Sequence, residues 1–226
     1  ANPDTYTVET STITLQPASK ANYVFGGWYE DAGLTTHVTQ IPAGSTGDKT
    51  LYAKFTPETY SITYNLDGGT NDPANPDTYT IESTTITLAP ATKAGFNFDG
   101  WYDDAGFATE VTEIPQGSSG DVALYAKWTV SVSGTITGAA SGDTVTVSAY
   151  EGGGGAFVTS TSATHSSGNQ WTYTLTLDTP DTYDIEADVN GVKDTSSNVD
   201  LTGGSATGVD FTYNATLSGE VRYFTP

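Results

Sequence analysis

The sequence predicts a mainly β protein in three modules, two copies of one small module followed by a β-sandwich. Three observations carry that reading. Residues 1–56 lie over residues 74–129 at an offset of 73 with no insertion or deletion, and 37 of the 56 aligned positions are identical. Runs such as TYSITYNL, STTITL, VALYAKWTV, DTVTVSAY and QWTYTLTL alternate with a period of two and are rich in Thr, Val, Ile and Tyr, the pattern of strands with one buried face. Between them lie LDGGTNDPANPD, DDAG, PQGSSGD and EGGGG, whose Gly, Asn, Asp and Pro residues supply turn backbones.

The second copy, residues 57–129, shows the plan of the module in order. Tyr60, Ile62, Tyr64 and Leu66 share one face of an opening strand, and after a long turn come Ile86 and Leu88. Phe96 and Phe98 precede the GWY element with Trp101 and Tyr102; Val111 and Ile114 follow, and the closing strand carries Leu124, Tyr125 and Trp128. Alternating apolar positions of this kind are core residues. At most one short helix per copy fits, around Asn71–Tyr79 or Asp103–Thr109.

The first copy, residues 1–56, repeats the plan from NPDTYT onward but has no counterpart of Tyr60–Pro73. Its opening strand is missing. Each buried side chain of such a strand contributes roughly 1.5–3 kcal/mol, a large share of a domain stability of about 5–15 kcal/mol. The first copy is therefore not expected to fold alone.

From Val130 the repeat stops. Strands are expected at Val130–Thr137, Thr144–Tyr150, Ala156–Thr161, Gln170–Leu177, Thr182–Val189 and Val209–Leu217, and that density of short strands over residues 130–226 predicts an immunoglobulin-like β-sandwich. The junctions KFTPETY and KWTVSVS contain no Gly/Ser linker, so the three modules are expected to be joined directly.

The chain has 7 Lys and Arg against 27 Asp and Glu, a net charge of −20, which excludes a nucleic-acid backbone as partner. It has no Cys, so thiolate catalysis, Cys-ligated metals and disulfides are excluded. It has no Met, and the expectation is a processed or excised piece of a longer product, with no membrane insertion in this segment.

The phrases YSITYNLDGGT, KAGFNFDGWYDDAG, VTEIP and GDVALYAKWT resemble the Listeria–Bacteroides repeat, the family that includes the B repeat of internalins, across residues 1–129. The resemblance implies a small β-grasp-like module found in tandem on bacterial and archaeal surface proteins, and it implies no catalytic residues. Residues 130–226 resemble carboxypeptidase-regulatory-like and other immunoglobulin-like surface domains through SGTITG, GDTVTVSAY and YTLTLDTPDTYDIEA.

Side chains suited to catalysis are sparse. Only His37 and His165 are available as histidine acid–base groups, and the counterpart of His37 in the second copy is Glu110. The acid pairs Glu30-Asp31 and Asp103-Asp104 precede Ala-Gly in a turn and read as exposed turn acids, as do Asp48 and Asp121 in their GD turns. Asp103 and Asp104 are the calcium candidates, and no other cofactor is expected. Asn214 heads the only N-x-S/T sequon, Asn214-Ala215-Thr216, and is the glycosylation candidate.

The missing strand leaves two explanations, upstream sequence or another subunit. Val209, Phe211, Tyr213 and Ala215 alternate like Tyr60, Ile62, Tyr64 and Leu66, and are the strand-donor candidates. If the third module needs them for its own sheet, either Ser218–Pro226 is the donor or no segment of the chain is. The expectation is a non-enzymatic extracellular structural protein of a cell-surface stalk, adhesin or filament, polymerising head-to-tail by β-strand complementation. Its partners would then be further copies in a homo-oligomer or polymer, or neighbouring domains of a longer chain. The alternative is a surface binding module for a host protein or polysaccharide.

Overall fold

The period-two alternation becomes strand wherever it runs long enough. The computed structural model describes residues 1–213, and among them the chain is all-β without a helix. The first repeat contains β1 (Ile13–Thr14), β2 (Tyr23–Tyr29), β3 (His37–Val38), β4 (Gln40–Ile41) and β5 (Tyr52–Pro57). The second contains β6 (Thr59–Asn65), β7 (Thr78–Thr80), β8 (Ile86–Thr87), β9 (Asn97–Tyr102) and β10 (Glu113–Ile114). After β11 (Val122–Thr137) come β12 (Val145–Glu151), β13 (Phe157–Ser162), β14 (Thr164–Ser167), β15 (Gln170–Leu177), β16 (Thr182–Val189), β17 (Val192–Asp200), β18 (Ala206–Thr207) and β19 (Phe211–Thr212). The two places where a short helix could fit are turn and strand instead, with β7 closing the first of them.

β11 is a single strand of 16 residues, although the repeat ends at Thr129. KWTVSVS offers no turn residue at the junction, and Val130 and Val132 continue the inward series of Leu124, Ala126 and Trp128. By internal contacts the chain forms two compact units: Ala1–Tyr64, Pro73–Ala89 and Val111–Leu124 make one, and Asn65–Asp72, Pro90–Glu110 and Tyr125 onward make the other.

In the first unit β2 pairs antiparallel with β5, from Tyr23↔Pro57 to Tyr29↔Tyr52, and β3 pairs with the other side of β2. The order β3-β2-β5 leaves β5 as a sheet edge. The β2–β5 ladder bulges between Phe25 and Gly27, where Gly27 takes φ +118 and the His37 ring lies where a β-carbon would stand. β6 pairs with β7 in the same unit, Tyr60 opposite Tyr79.

The second unit holds a two-sheet sandwich. One sheet pairs β11 with β15 and β15 with β14, and β18 and β19 run parallel to β11. The other has the order β13-β12-β16-β17. Val132, Ile136, Val147, Leu175, Ile185 and Leu201 fill the space between them, and Phe211 joins this core at 2 % exposure. Gly134 and Gly138 permit the close approach of the last strand segment, because a β-carbon at either would collide with the carbonyl oxygen of Val209 or Tyr213.

Candidate functional site

The internal repeat allows one module to be read against the other. In the second copy, β6 is held by four contacts of known geometry. Thr59, Tyr60 and Ser61 lie opposite Thr80, Tyr79 and Thr78. The Ile62 amide donates to the Asp77 carbonyl at 2.8 Å, the Ser61 amide donates to Asp121 Oδ1 at 2.8 Å, and the Tyr64 hydroxyl donates to the Pro76 carbonyl at 3.0 Å. Burial pushes the Tyr64 phenol up to about 12, and the Ser61 amide holds the Asp121 carboxyl below its ordinary value. Ile62 is 5 % exposed.

In the first copy the same positions border an open groove of about 800 Å³. Its walls include Pro3, Asp4, Thr5, Tyr6, Thr7 and Asp48. Subtracting the repeat offset of 73, these are the counterparts of Pro76, Asp77, Thr78, Tyr79, Thr80 and Asp121, the residues that grip β6. The floor is apolar, with Leu15, Trp28, Ile41 and Leu51 corresponding to Leu88, Trp101, Ile114 and Leu124. Trp101 and Leu124 are 2 % and 1 % exposed, whereas Trp28 and Leu51 are only half-buried. No residue of 1–56 is fully buried.

The walls are nevertheless built. The Asn75 side chain accepts from the Ala89 amide and donates to the Ala89 carbonyl, at 2.8 and 2.9 Å, and Asn2 makes the same pair of bonds to Gln16 at 2.6 and 2.9 Å. The Tyr79 hydroxyl donates to the Gly120 carbonyl at 2.5 Å, and the Tyr6 hydroxyl donates to the Gly47 carbonyl. Thr78–Thr80 is a strand, yet the identical Thr5–Thr7 is not, because its ladder partner is supplied by β6 in one copy and by no described strand in the other. The groove thus combines a preformed rim, edge-strand backbone and an apolar floor, the elements that β-strand addition requires.

The structure places the donor candidates as follows. Val209 donates its amide to the Ser133 carbonyl at 3.2 Å, and the Tyr213 amide donates to Thr137 O at 2.8 Å. Phe211 is core, and the Tyr213 hydroxyl donates to the Ala187 carbonyl at 2.5 Å. These three residues complete their own sandwich. Ala215 and Asn214, the fourth donor candidate and the glycosylation candidate, lie outside the described residues.

Asp103 and Asp104 are exposed, and the Asp104 carboxylate caps its own turn by accepting from the Gly106 amide at 2.5 Å. Asp31, its counterpart, accepts from the Thr36 and Thr35 amides, which hold it below the ordinary carboxylate range. No group of three or more His, Cys, Asp or Glu residues converges among the described residues. His37 packs edge-on against Tyr29 and His165 against Trp171, and among the described residues neither has an acid partner in hydrogen-bond range. Asp48 and Tyr6 were not singled out as site residues by the sequence; the signal available was their identity with Asp121 and Tyr79 across the repeat.

Among the described residues, no helix is long and apolar enough to cross a membrane. The sequence profile of the Listeria-Bacteroides repeat domain matches residues 1–54 and 60–127. A protein of Evansella cellulosilytica named as a Gly-rich membrane protein is 32 % identical over 117 residues, 51 % of this chain and 13 % of the relative. A second membrane protein by name from that organism is 32 % identical over 120 residues, 50 % of this chain and 17 % of its own length. Internalin H of Listeria monocytogenes is 30 % identical over 130 residues, 54 % of this chain and 22 % of internalin H. The chain thus spans less than a quarter of each of these relatives. With both tandem copies matched, over more than half of its length, the chain belongs to the Listeria-Bacteroides repeat family.

Proposed function

We propose that the chain is a non-enzymatic extracellular structural protein of a cell-surface stalk or filament, divided at residues 56 and 129 into two repeats and a sandwich. Its first repeat acts as a socket for a β-strand, and its assembly is polymerisation by strand complementation. The observation that carries this reading is the groove of the first repeat, which reproduces the grip on β6 residue by residue while its floor stays half-exposed. Internalin H and the two proteins named as membrane proteins support a surface setting. The strand contributes main-chain hydrogen bonds at the open edge and side chains for the floor together. A contact of socket with strand is heterologous, so it propagates as an open filament unless the rotation closes a ring.

The test is sedimentation and electron microscopy of the purified chain and of Asp48→Lys. Asp48 is exposed, so the substitution leaves the repeat intact while opposing a strand amide at the rim. Concentration-dependent linear assemblies that Asp48→Lys abolishes are expected. A chain that stays monomeric at every concentration, or assemblies indifferent to Asp48, would overturn the reading.

A second reading, a surface module that binds a host protein or polysaccharide, rests on an apolar recess of about 580 Å³ within the second unit, bordered by Phe96, Phe107, Trp128, Lys93 and Lys127. Phe107 is exposed there, but Trp128 is 7 % exposed, and the Lys93 ammonium sits 4.4 Å over the Phe96 ring. The aromatic faces are therefore largely engaged within the chain, which favours the strand socket.

A further inference from the structure

We infer that the groove of the first repeat takes residues 218–224 of a second copy of this chain, with Val221 in the place of Ile62 and Tyr223 in the place of Tyr64. This rests on the reading of the groove as a strand socket, and it names the occupant.

Val209, Phe211 and Tyr213 are excluded because their side chains and amides complete the sandwich. Thirteen residues remain after Tyr213, NATLSGEVRYFTP. An occupant must repeat the pattern of β6, in which Tyr60, Ile62 and Tyr64 turn inward while Thr59, Ser61, Thr63 and Asn65 stay exposed. In the tail only one parity has inward-type residues at that spacing: Val221 and Tyr223 alternate with Glu220 and Arg222. The opposite parity would push Glu220 and Arg222 into an apolar floor, at the cost of burying two charges.

The register follows from β6 and β7. Thr59, Tyr60 and Ser61 face Thr80, Tyr79 and Thr78, so Ser218, Gly219 and Glu220 face Thr7, Tyr6 and Thr5. The Glu220 amide then meets Asp48, as the Ser61 amide meets Asp121, and the Tyr223 hydroxyl meets the Pro3 carbonyl, as Tyr64 meets Pro76. Charge agrees with this placement. Lys49 stands on the groove where the second copy has Val122, within the neighbourhood of Glu220, and Arg222, the only Arg of the chain, comes to a rim bearing Asp4 and Asp48. The connecting segment 214–217 can span up to about 14 Å when extended.

The chain has no Cys, so engineered thiols report the register directly. Thr5→Cys and Glu220→Cys, made as separate single variants and mixed, are expected to form a disulfide-linked dimer under mild oxidation. The double variant is expected to give a ladder of linked copies, and a shift of the second thiol to Arg222→Cys is expected to lose it. A double variant that closes only within one chain, or no link at all in chains that assemble, overturns the assignment.

A second measurement separates this inference from the socket itself. The chain shortened after residue 218 is titrated with two peptides, one carrying TLSGEVRYFTP and one carrying TYSITYNL from β6. Binding of the first, weakened at least about tenfold by Tyr223→Ala and abolished by Asp48→Lys in the chain, is expected. Binding of the β6 peptide alone overturns the donor and leaves the socket; binding of neither overturns both.

Discussion

Tyr6 and Tyr79 occupy the same place in two copies of one hexapeptide, NPDTYT, and donate to the same carbonyl of the same Gly-Asp turn, yet Tyr79 is 4 % exposed on a strand and Tyr6 is half-buried on none. Local sequence is held constant in this pair, so the difference is tertiary: a ladder partner and the side chains it brings. Strand propensity here expresses packing against a neighbour, which is how β-propensity behaves in general.

The carboxylate that grips the opening strand gives a pH-dependent prediction. Asp121 is held below its ordinary value by the Ser61 amide. Because the folded value is the lower one, its contribution is complete above the unfolded Asp pKa of about 3.9 and is lost as pH falls through the folded value. Asp121→Asn should lower the melting temperature near neutrality, and the gap to the parent chain should close as the solution is acidified. A gap of constant size from neutral to acid pH would mean that Asp121 does not hold β6 through its charge.

Trp128 stands where the first copy has Phe55, and its indole donates to the Leu66 carbonyl at 3.0 Å. Trp128→Phe removes that bond, leaving the Leu66 carbonyl with the Gly69 amide alone, and removes part of the ring packed against Phe98. The lost bond is expected to cost about 0.5–1.5 kcal/mol, seen by calorimetry as a lowered melting temperature. The reverse change, Phe55→Trp, should bring no gain in the unassembled chain, since no described residue stands to position 55 as Leu66 stands to Trp128. Equal stabilisation of assembled and unassembled chains by Phe55→Trp would contradict this.

The fold was legible in proportion to how strongly one face of each strand is buried. β12 and β15 alternate cleanly, and β16 does so except at the buried Asp184, because they form the inside of the sandwich, Leu175 and Ile185 being 2 % and 0 % exposed. β14 and β17 were not foreseen: THSS and VKDTSSNVD are mostly exposed, so no apolar period marks them, and backbone pairing with β15 and β16 makes them strands. Trp28 reads as core from its GWY motif but is only half-buried, whereas its counterpart Trp101 is 2 % exposed. The groove was readable as a missing segment; its rim was not, because the gripping groups at Pro3 and Asp4 are main-chain carbonyls.

Gly134 gives a test of how the last described segment is attached. A β-carbon there would collide with the Val209 carbonyl oxygen, whereas at Gly142 it would meet nothing within 4 Å. Gly134→Ala should therefore dislodge β18 and β19 from β11 and speed hydrogen exchange at the Val209 and Tyr213 amides, while Gly142→Ala leaves both unchanged. Retained protection in Gly134→Ala would show that the parallel pairing tolerates displacement.

Asp184 explains a bend that the alternation of β16 does not foretell. Its side chain, 7 % exposed, accepts from the Gly154 amide at 2.7 Å and from the Asn198 amide at 2.8 Å. One bond folds the EGGGG loop back, where Gly153 and Gly154 take φ near +80; the other meets Asn198, whose φ of +57 marks the irregularity of β17 opposite Tyr183 and Ile185. The Asn198 and Gly154 amides hold the carboxyl below its ordinary value, so here too the stabilisation is present above the unfolded Asp value and disappears as pH falls through the lowered folded one. Asp184→Asn keeps the size but loses the charge and one acceptor oxygen, and Asp184→Ala strands two amides. The melting temperature should fall in the order parent, Asn, Ala near neutral pH, with faster exchange at Gly154 and Asn198 and none at β11. An Asn variant as stable as the parent at neutral pH, and equally sensitive to acid, would mean that the loop and the bulge are held by backbone geometry alone.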